Sequence, residues 1–259
     1  SYRTNFTNGN IVVDFEKGRV KLPKLKMVKA KQPREFEGQI KSATISQMPS
    51  GKYFVSILVE EEQVELPKVE KSVGIDLGIK DLVITSDGEK IDNLKLIKKY
   101  ENKLVRQQRK LAHKQKGSKN REKQRIKVAK IYEKIANTRN DYLHKISHKL
   151  INENQVIVSE DLSVSNMVKN ANLAKSISDC GWSELTRQLQ YKADWYGRTY
   201  VKIGRFVPSS QTCHVCGYKN EETKDLTVRK WTCPQCQTEH DRDINAAINI
   251  QNEGLKQIA

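Results

Sequence analysis

The chain has 259 residues, of which 37% are hydrophobic and 30% are charged. No apolar run reaches the length of a membrane-spanning helix and no secretory leader pattern is visible, so we expect a cytoplasmic protein without a membrane partner. The 47 lysines and arginines outnumber the 31 acidic residues, which gives a formal net charge of +16 and favours a polyanionic partner.

Short segments between residues 10 and 62 predict strands: NIVVDF, RVKLP, EFEGQIKSATISQ and KYFVSILVEEE. Turn signals at KG and PSGK separate some of them, and we expect a small antiparallel β-barrel segment. A polar connector that contains Pro67 leads into SVGIDLGIKDLVITSDGEKI, in which two apolar runs are joined by a short turn.

A strongly basic helical region follows, with 19 basic and 4 acidic residues between Lys95 and Lys149. Apolar residues recur in it at helical spacing: Val128, Ile131, Ile135, Tyr142, Ile146 and Leu150. KGSKN interrupts the pattern, so we predict two antiparallel helices, the second starting near Ser118. The basic faces are either simply solvated or neutralised by nucleic acid. We favour nucleic acid, because dense like charges on ordered helices repel one another.

The rest of the chain alternates strands and helices. NQVIVSEDL predicts a buried strand that ends in acids, residues 182–197 predict an amphipathic helix, and TYVKIGRF predicts another strand. Strands separated by helices indicate an α/β domain, in which the helical hairpin is an insertion.

Four of the five cysteines form two C-x2-C pairs separated by 16 residues: Cys213, Cys216, Cys233 and Cys236. This spacing predicts a tetrahedral zinc site, and the alternative of disulfides is disfavoured in a chain without a secretory signal. Four protein ligands leave no open coordination position, so the zinc would be structural. Cys180 stands alone, and we interpret it as a core residue.

Three acids lie in positions that suit a metal site. Asp76 shares one face of its strand with Gly74 and Gly78, which we expect to leave room for a metal ion and a phosphate. Glu160 ends the strand QVIVSE, and Asp243 begins the last helix. Acids are common, but this set matches a chemistry in which carboxylates hold two Mg²⁺ ions about 4 Å apart for phosphodiester cleavage.

The two aspartates of HDRDINAAINI have different expected roles. A helix that starts near Arg242 places Asp243 on one stripe with the apolar residues that follow: Ala246, Ala247 and Ile250. Asp241 falls off this stripe and suits the helix N-cap, where its side chain accepts a backbone N–H.

The motifs GIDLGIKDL, VSEDLSVSNM, PSSQTCHVCGYKN and HDRDINAAINI, in this order, resemble TnpB, the transposon-encoded RNA-guided nucleases related to type V CRISPR effectors. The resemblance covers residues 71–254 and implies a RuvC-like domain of the RNase H fold. It implies that the catalytic and magnesium-binding residues are Asp76, Glu160 and Asp243, with Mn²⁺ as an alternative metal. It also implies a prokaryotic, nucleoid-associated protein whose partners are target DNA and a guide RNA from the transposon end.

The resemblance further implies a domain layout. Residues 1–68 would form a wedge-like β-barrel segment, and the RuvC-like domain would comprise 69–206 and 240–259. Residues 93–152 would hold the helical hairpin insertion, and residues 207–239 a zinc knuckle that binds target nucleic acid.

The implied function is that of an RNA-guided, Mg²⁺-dependent DNA endonuclease of a transposon, or its C-terminal nuclease part. Two alternatives stay open. One is a guided nucleic-acid-binding protein that does not cleave, such as a repressor or an RNA-binding remnant. The other is a DNA transposase that uses a related carboxylate cluster on the same fold.

Overall fold

The computed structural model describes residues 1–31, 34–225 and 227–258. Contacts divide the chain into two compact units. None of the helices in the described part of the chain combines the length and the apolar character needed to span a bilayer.

The first unit comprises Ser1–Gln63 and Asn102–Lys134. Its strands are β1 (Tyr2–Asn5), β2 (Val12–Asp14), β3 (Arg19–Leu22), β4 (Leu25–Lys29), β5 (Gln39–Gln47) and β6 (Tyr53–Glu60). They form two antiparallel sheets, ordered β1-β5-β6 and β2-β3-β4, with buried apolar side chains that include Ile11, Val20 and Ala43. The strand predictions are confirmed for β2, β3, β5 and β6, whereas β1 and β4 were not predicted. The interpretation of these sheets as a barrel segment stays a prediction.

Two long helices form the predicted hairpin: α1 (Leu96–Ala112) and α2 (Lys119–Glu153). The turn between them contains Gly117, whose φ of +80° is accessible to glycine at little cost. The Ser118 hydroxyl accepts the backbone N–H of Arg121 at 3.1 Å, which caps the start of α2. The Arg121 guanidinium in turn donates to the carbonyl of Leu111 at 2.9 Å and so satisfies a backbone group near the end of α1.

The second unit comprises Val64–Glu101 and Ile135–Ala259. Its main strands are β7 (Ser72–Asp76), β8 (Asp81–Thr85), β9 (Lys90–Asp92), β10 (Val156–Glu160) and β11 (Thr199–Ile203). They form a mixed sheet ordered β11-β10-β7-β8-β9, in which β10 is parallel to both β7 and β11. The helices that follow β10 are α3 (Val164–Met167), α4 (Ala174–Cys180), α5 (Trp182–Tyr196) and α6 (Arg242–Ile258). The predicted α/β class is confirmed, and Cys180 is buried in the core as expected.

Helix α6 lies against the sheet with almost no space between the two. A Cβ added to Gly74 would lie 2.1 Å from the carbonyl oxygen of Ala247, and one added to Gly254 would lie 2.3 Å from Cγ1 of Val158. A Cβ on Gly78 would lie 2.6 Å from the carbonyl oxygen of Asp81. The prediction that the glycines leave room for a metal ion and a phosphate is therefore wrong, because protein backbone fills that space.

One buried arginine joins the beginnings of three neighbouring strands. Arg198 directly precedes β11 and donates to the carbonyl of Pro67 at 2.9 Å, to the carbonyl of Ile151 at 3.0 Å and to Oε1 of Gln155 at 2.9 Å. Pro67 lies in the segment that leads into β7, and Gln155 directly precedes β10. A planar guanidinium with several donors in a fixed geometry suits three separate acceptors.

Substituting Gly74→Ala should lower stability strongly, because the added methyl group meets the backbone of α6 rather than a side chain that could move. We expect a loss of about 3 kcal/mol, which corresponds to a fall in Tm of roughly 6–12 °C in thermal unfolding. Gly204→Ala is the matched control, since a Cβ there would be 3.8 Å from its nearest neighbour, Cγ2 of Val207. Equal Tm values for the two variants would contradict the tight contact.

Candidate active site

Two of the three predicted acids leave the sheet at the same edge. Asp76 is the last residue of β7, and Glu160 is the last residue of β10. These strands are parallel, and Ile75 is paired with Ser159, so the two acids follow at equivalent positions. The carboxyl ends of parallel strands are where open α/β sheets place their sites.

The third acid reaches this edge from the start of α6. Asp243 is the second residue of the helix, and the buried Ala246 and Ala247 bring the helix close to the sheet. Asp241 Oδ1 accepts the backbone N–H groups of Asp243 at 3.1 Å and Ile244 at 3.2 Å. The prediction that Asp241 is the N-cap is therefore confirmed. Asp241 also binds Lys90 at 2.6 Å, a contact that was not predicted.

The three carboxylates influence one another electrostatically. Burial, together with the negative charges of Glu160 and Asp243, raises the pKa of Asp76 to about 7. The charge of Arg242 and the backbone N–H of Leu77 oppose this rise without cancelling it. Asp76 therefore holds a proton up to nearly neutral pH unless a cation takes that place.

Each of the other two acids has a partner of its own. The Arg229 guanidinium lies 3.3 Å from Oδ2 and 3.4 Å from Oδ1 of Asp243. The Ser209 hydroxyl donates to Oε1 of Glu160 at 2.5 Å. Within the described residues, the acids do not form a group whose donor atoms all lie within 4.8 Å of one another.

This donor set fits magnesium better than a softer metal. Carboxylate oxygens are the ligands that Mg²⁺ prefers, and Mg²⁺ usually keeps several of its waters, so its protein ligands need not be in mutual contact. The cluster has a proton on one acid and a guanidinium on another, which are the positive charges that a divalent ion would replace. Asp76, Glu160 and Asp243 are thus suited to hold Mg²⁺.

The four predicted zinc ligands lie together: Cys213, Cys216, Cys233 and Cys236. Their sulfur atoms are all within 4.8 Å of one another, and two of the pairs are 3.6 Å apart. A tetrahedral site with Zn–S bonds of about 2.3 Å needs sulfur atoms about 3.8 Å apart, so the cluster fits zinc. The segment around it contains a 3-10 helix (Glu221–Lys224) and a hairpin of β12 (Lys230–Thr232) and β13 (Glu239–Asp241).

Helix α6 is attached to the cysteine cluster by a buried side chain, Asn245. Its Oδ1 accepts the backbone N–H of His214 at 3.1 Å and contacts Nδ1 of the same residue at 2.9 Å, while its Nδ2 donates to the carbonyl of Thr212 at 2.8 Å. Asn249, one turn later, donates to the same carbonyl at 2.5 Å. The role of Asn245 was not predicted from the sequence. The available signal was the pair Asn245 and Asn249, which lie four residues apart beside the apolar stripe of α6.

Two family models and several known proteins match this chain. Residues 56–171 match the OrfB_IS605 family model, described as "Probable transposase", and residues 182–250 match the model described as "Cas12f1-like, TNB domain". The chain is 46% identical over 214 residues to a "Putative RNA-guided DNA endonuclease" of Streptomyces pristinaespiralis and 35% identical over 260 residues to InsQ of Escherichia coli, which carries the same description.

The chain is a relative of the TnpB proteins, as its motifs predict. The matches to the two relatives cover 83% and 94% of this TnpB-like chain but 53% and 64% of the relatives, so it spans roughly half to two thirds of their length. Its fold is similar to that in a cryo-EM structure of a Cas12f1–sgRNA–target DNA complex, with a TM-score of 0.52 and 17% identity. That match covers 97% of this chain and 66% of the other.

Substituting Asp76→Asn should stabilise the metal-free protein above neutral pH. The folded wild type keeps a proton on Asp76 that the unfolded chain releases near pH 4, so wild-type stability falls as pH rises from about 4 to about 7. The variant does not lose stability in this way, so its free energy of unfolding at pH 8 should exceed that of the wild type by at most about 4 kcal/mol. Thermal unfolding in EDTA at pH 5 and pH 8 measures it, with the exposed Asp194→Asn as control. An equal Tm for wild type and variant at pH 8 would contradict the raised pKa of Asp76.

Substituting Asn245→Ala should loosen the start of α6 while the four cysteines stay intact. The change leaves the N–H of His214 unsatisfied and removes a donor from Thr212, at a cost of about 1–3 kcal/mol. We expect faster hydrogen exchange in the first turns of α6 together with an unchanged zinc content. The exposed Asn252→Ala on the same helix is the control, and it should exchange like wild type.

Proposed function

We propose that this TnpB-like chain carries the nuclease centre of an RNA-guided DNA endonuclease. The observation that carries the proposal is the convergence of Asp76, Glu160 and Asp243 at one edge of the sheet, where burial, together with the charges of Glu160 and Asp243, raises the pKa of Asp76. Half-buried acids that repel one another are costly for folding, and such sites are typical of bound cations and catalysis. The descriptions of the relatives as RNA-guided DNA endonucleases support the same function.

The three acids would hold two Mg²⁺ ions. Bound ions of this kind activate a water molecule and stabilise the leaving oxygen of a phosphodiester. The residues around the acids fix their positions: Ser209 orients Glu160 through a hydrogen bond, and the Asp241 cap fixes the first turn of α6. The zinc knuckle acts on the same helix, because Asn245 links its cysteine-bearing turn to α6.

The nucleic-acid partners would be a guide RNA from the transposon end and the target DNA. The basic residues between Lys95 and Lys149 carry nearly the whole positive surplus, and phosphate contacts of this kind give affinity without sequence preference. In guided systems, base pairing with the guide reads the target sequence. The complex of guide RNA and target DNA in the structurally similar Cas12f1 agrees with these two partners.

A transposase is the second candidate, favoured by one matching family model, which is described as a probable transposase. Strand transfer uses a related carboxylate cluster but yields joined DNA products, whereas an endonuclease yields separated ends. Sequencing the DNA products, together with any RNA that copurifies, separates the two functions. If the DNA products were joined and no RNA copurified, the transposase function would replace the proposed endonuclease function.

Substituting Asp243→Asn should reduce Mg²⁺-dependent cleavage of single-stranded DNA by on the order of 1000-fold or more, because it removes a charged metal ligand. Asp241→Asn is the matched control from the same turn, and its activity should stay within roughly threefold of wild type, since Asn also caps helices. Cleavage rates with and without EDTA give the comparison.

DNA binding, measured in EDTA for the same two variants, should remain close to wild type. Binding by the wild type without cleavage in Mg²⁺ or Mn²⁺ would indicate the non-cleaving alternative. Equal losses of cleavage in both variants would contradict the different roles assigned to Asp241 and Asp243.

A further inference from the structure

A groove of about 870 Å³ opens beside Glu160 in the second unit. One wall is formed by residues at and just after the carboxyl ends of β7 and β10, including Leu77 and Asp161. The other wall is a face of α5 that runs from Trp182 to Trp195, a length of about 20 Å at 1.5 Å per residue. The groove therefore begins at a proposed metal ligand and continues along a helix.

The α5 wall presents aromatic rings that are held in place. Trp195 is 48% exposed, an unusually open position for tryptophan, and its ring contacts that of Tyr191 edge-on with centroids 4.6 Å apart. The Arg187 guanidinium lies over the Tyr191 ring at 5.3 Å and is fixed by two hydrogen bonds to Glu184, of 2.7 and 2.8 Å. The platform is thus rigid before any ligand arrives, which lowers the entropic cost of binding.

The distribution of charge along the groove indicates how an occupant would be oriented. The acids Glu160 and Asp161 lie on the sheet wall, where they repel a phosphate unless divalent ions are bound. Arg187 and Lys202 supply positive charge elsewhere in the lining, beside aromatic rings and the amide of Gln190. An uncharged base suits the aromatic part, while a phosphate of the same strand suits the carboxylate end once metal ions are present.

We propose that this groove binds an unpaired nucleotide of the DNA strand that is cut, with its base stacked on Trp195. The inference rests on the proposed function, since the nuclease centre defines which strand enters. Aromatic rings beside cationic side chains are the combination by which proteins hold single strands without reading their sequence. A base within a duplex cannot stack on protein, so the site selects unpaired DNA.

The first test measures binding of a single-stranded oligodeoxynucleotide with phosphorothioate linkages in Mg²⁺, so that the metal is present while cleavage is suppressed. Stacking on one aromatic side chain is worth about 1–3 kcal/mol, so Trp195→Ala should weaken binding about 5- to 150-fold. Trp195→Phe keeps an aromatic face and should stay within roughly threefold of wild type. Phe54→Ala is the control, since Phe54 is also 48% exposed but lies on β6 and does not line the groove. Unchanged binding by Trp195→Ala would overturn the proposal.

The second test moves a single abasic site along the same oligonucleotide. In the wild type, the loss of one base should weaken binding at the position that meets Trp195, and Trp195→Ala should show no further loss at that position. Equal losses in both proteins at every position would overturn the proposal. Because both tests measure binding and not cleavage, their failure would leave the result for Asp243→Asn standing, and failure of cleavage would leave the binding result standing.

Discussion

The close contact between helix α6 and strand β7 is the constraint on which the candidate site depends. At Gly74 the backbone of the helix occupies the volume that a side chain would fill. At Gly254, which has no side chain, Val158 of the sheet packs directly against the helix. These two glycines fix the distance between helix and sheet at points about two turns of helix apart. Because Asp243 lies in the first turn of α6 and Asp76 ends β7, this spacing also sets the distance between the two acids.

Bringing like charges together opposes folding, and the surrounding structure offsets this cost locally. The protonated form of Asp76, the guanidinium of Arg229 and the hydroxyl of Ser209 each reduce the repulsion at a different acid. The acids are therefore held by groups that a cation can displace, rather than by buried ion pairs that would compete with it. Such a cluster is stable enough to persist without metal, and its carboxylate oxygens are of the type that binds a divalent cation.

Features set by local sequence were predictable, and those set by distant contacts were not. The zinc ligands follow from spacing, the helical hairpin from periodicity, and the cap at Asp241 from its position before an amphipathic segment. Strand β4 escaped prediction because all its residues are exposed and show no alternation. Three features join residues that are far apart in the chain, so no local pattern reveals them. They are the contact of Gly74 with α6, the hydrogen bond from Ser209 to Glu160 and the groove along α5.

The polar groups of the sheet are divided between its two ends. Arg198 binds the segments that lead into β7, β10 and β11, while Asp76 and Glu160 lie at the opposite ends of β7 and β10. The arginine fixes strand alignment through neutral oxygens and has no part in the charge balance of the acids. The carboxyl end of the sheet can thus change its chemistry by substitution while its amino end preserves the architecture. Substitution of an acid at the carboxyl end would therefore leave the strand alignment at the amino end unchanged.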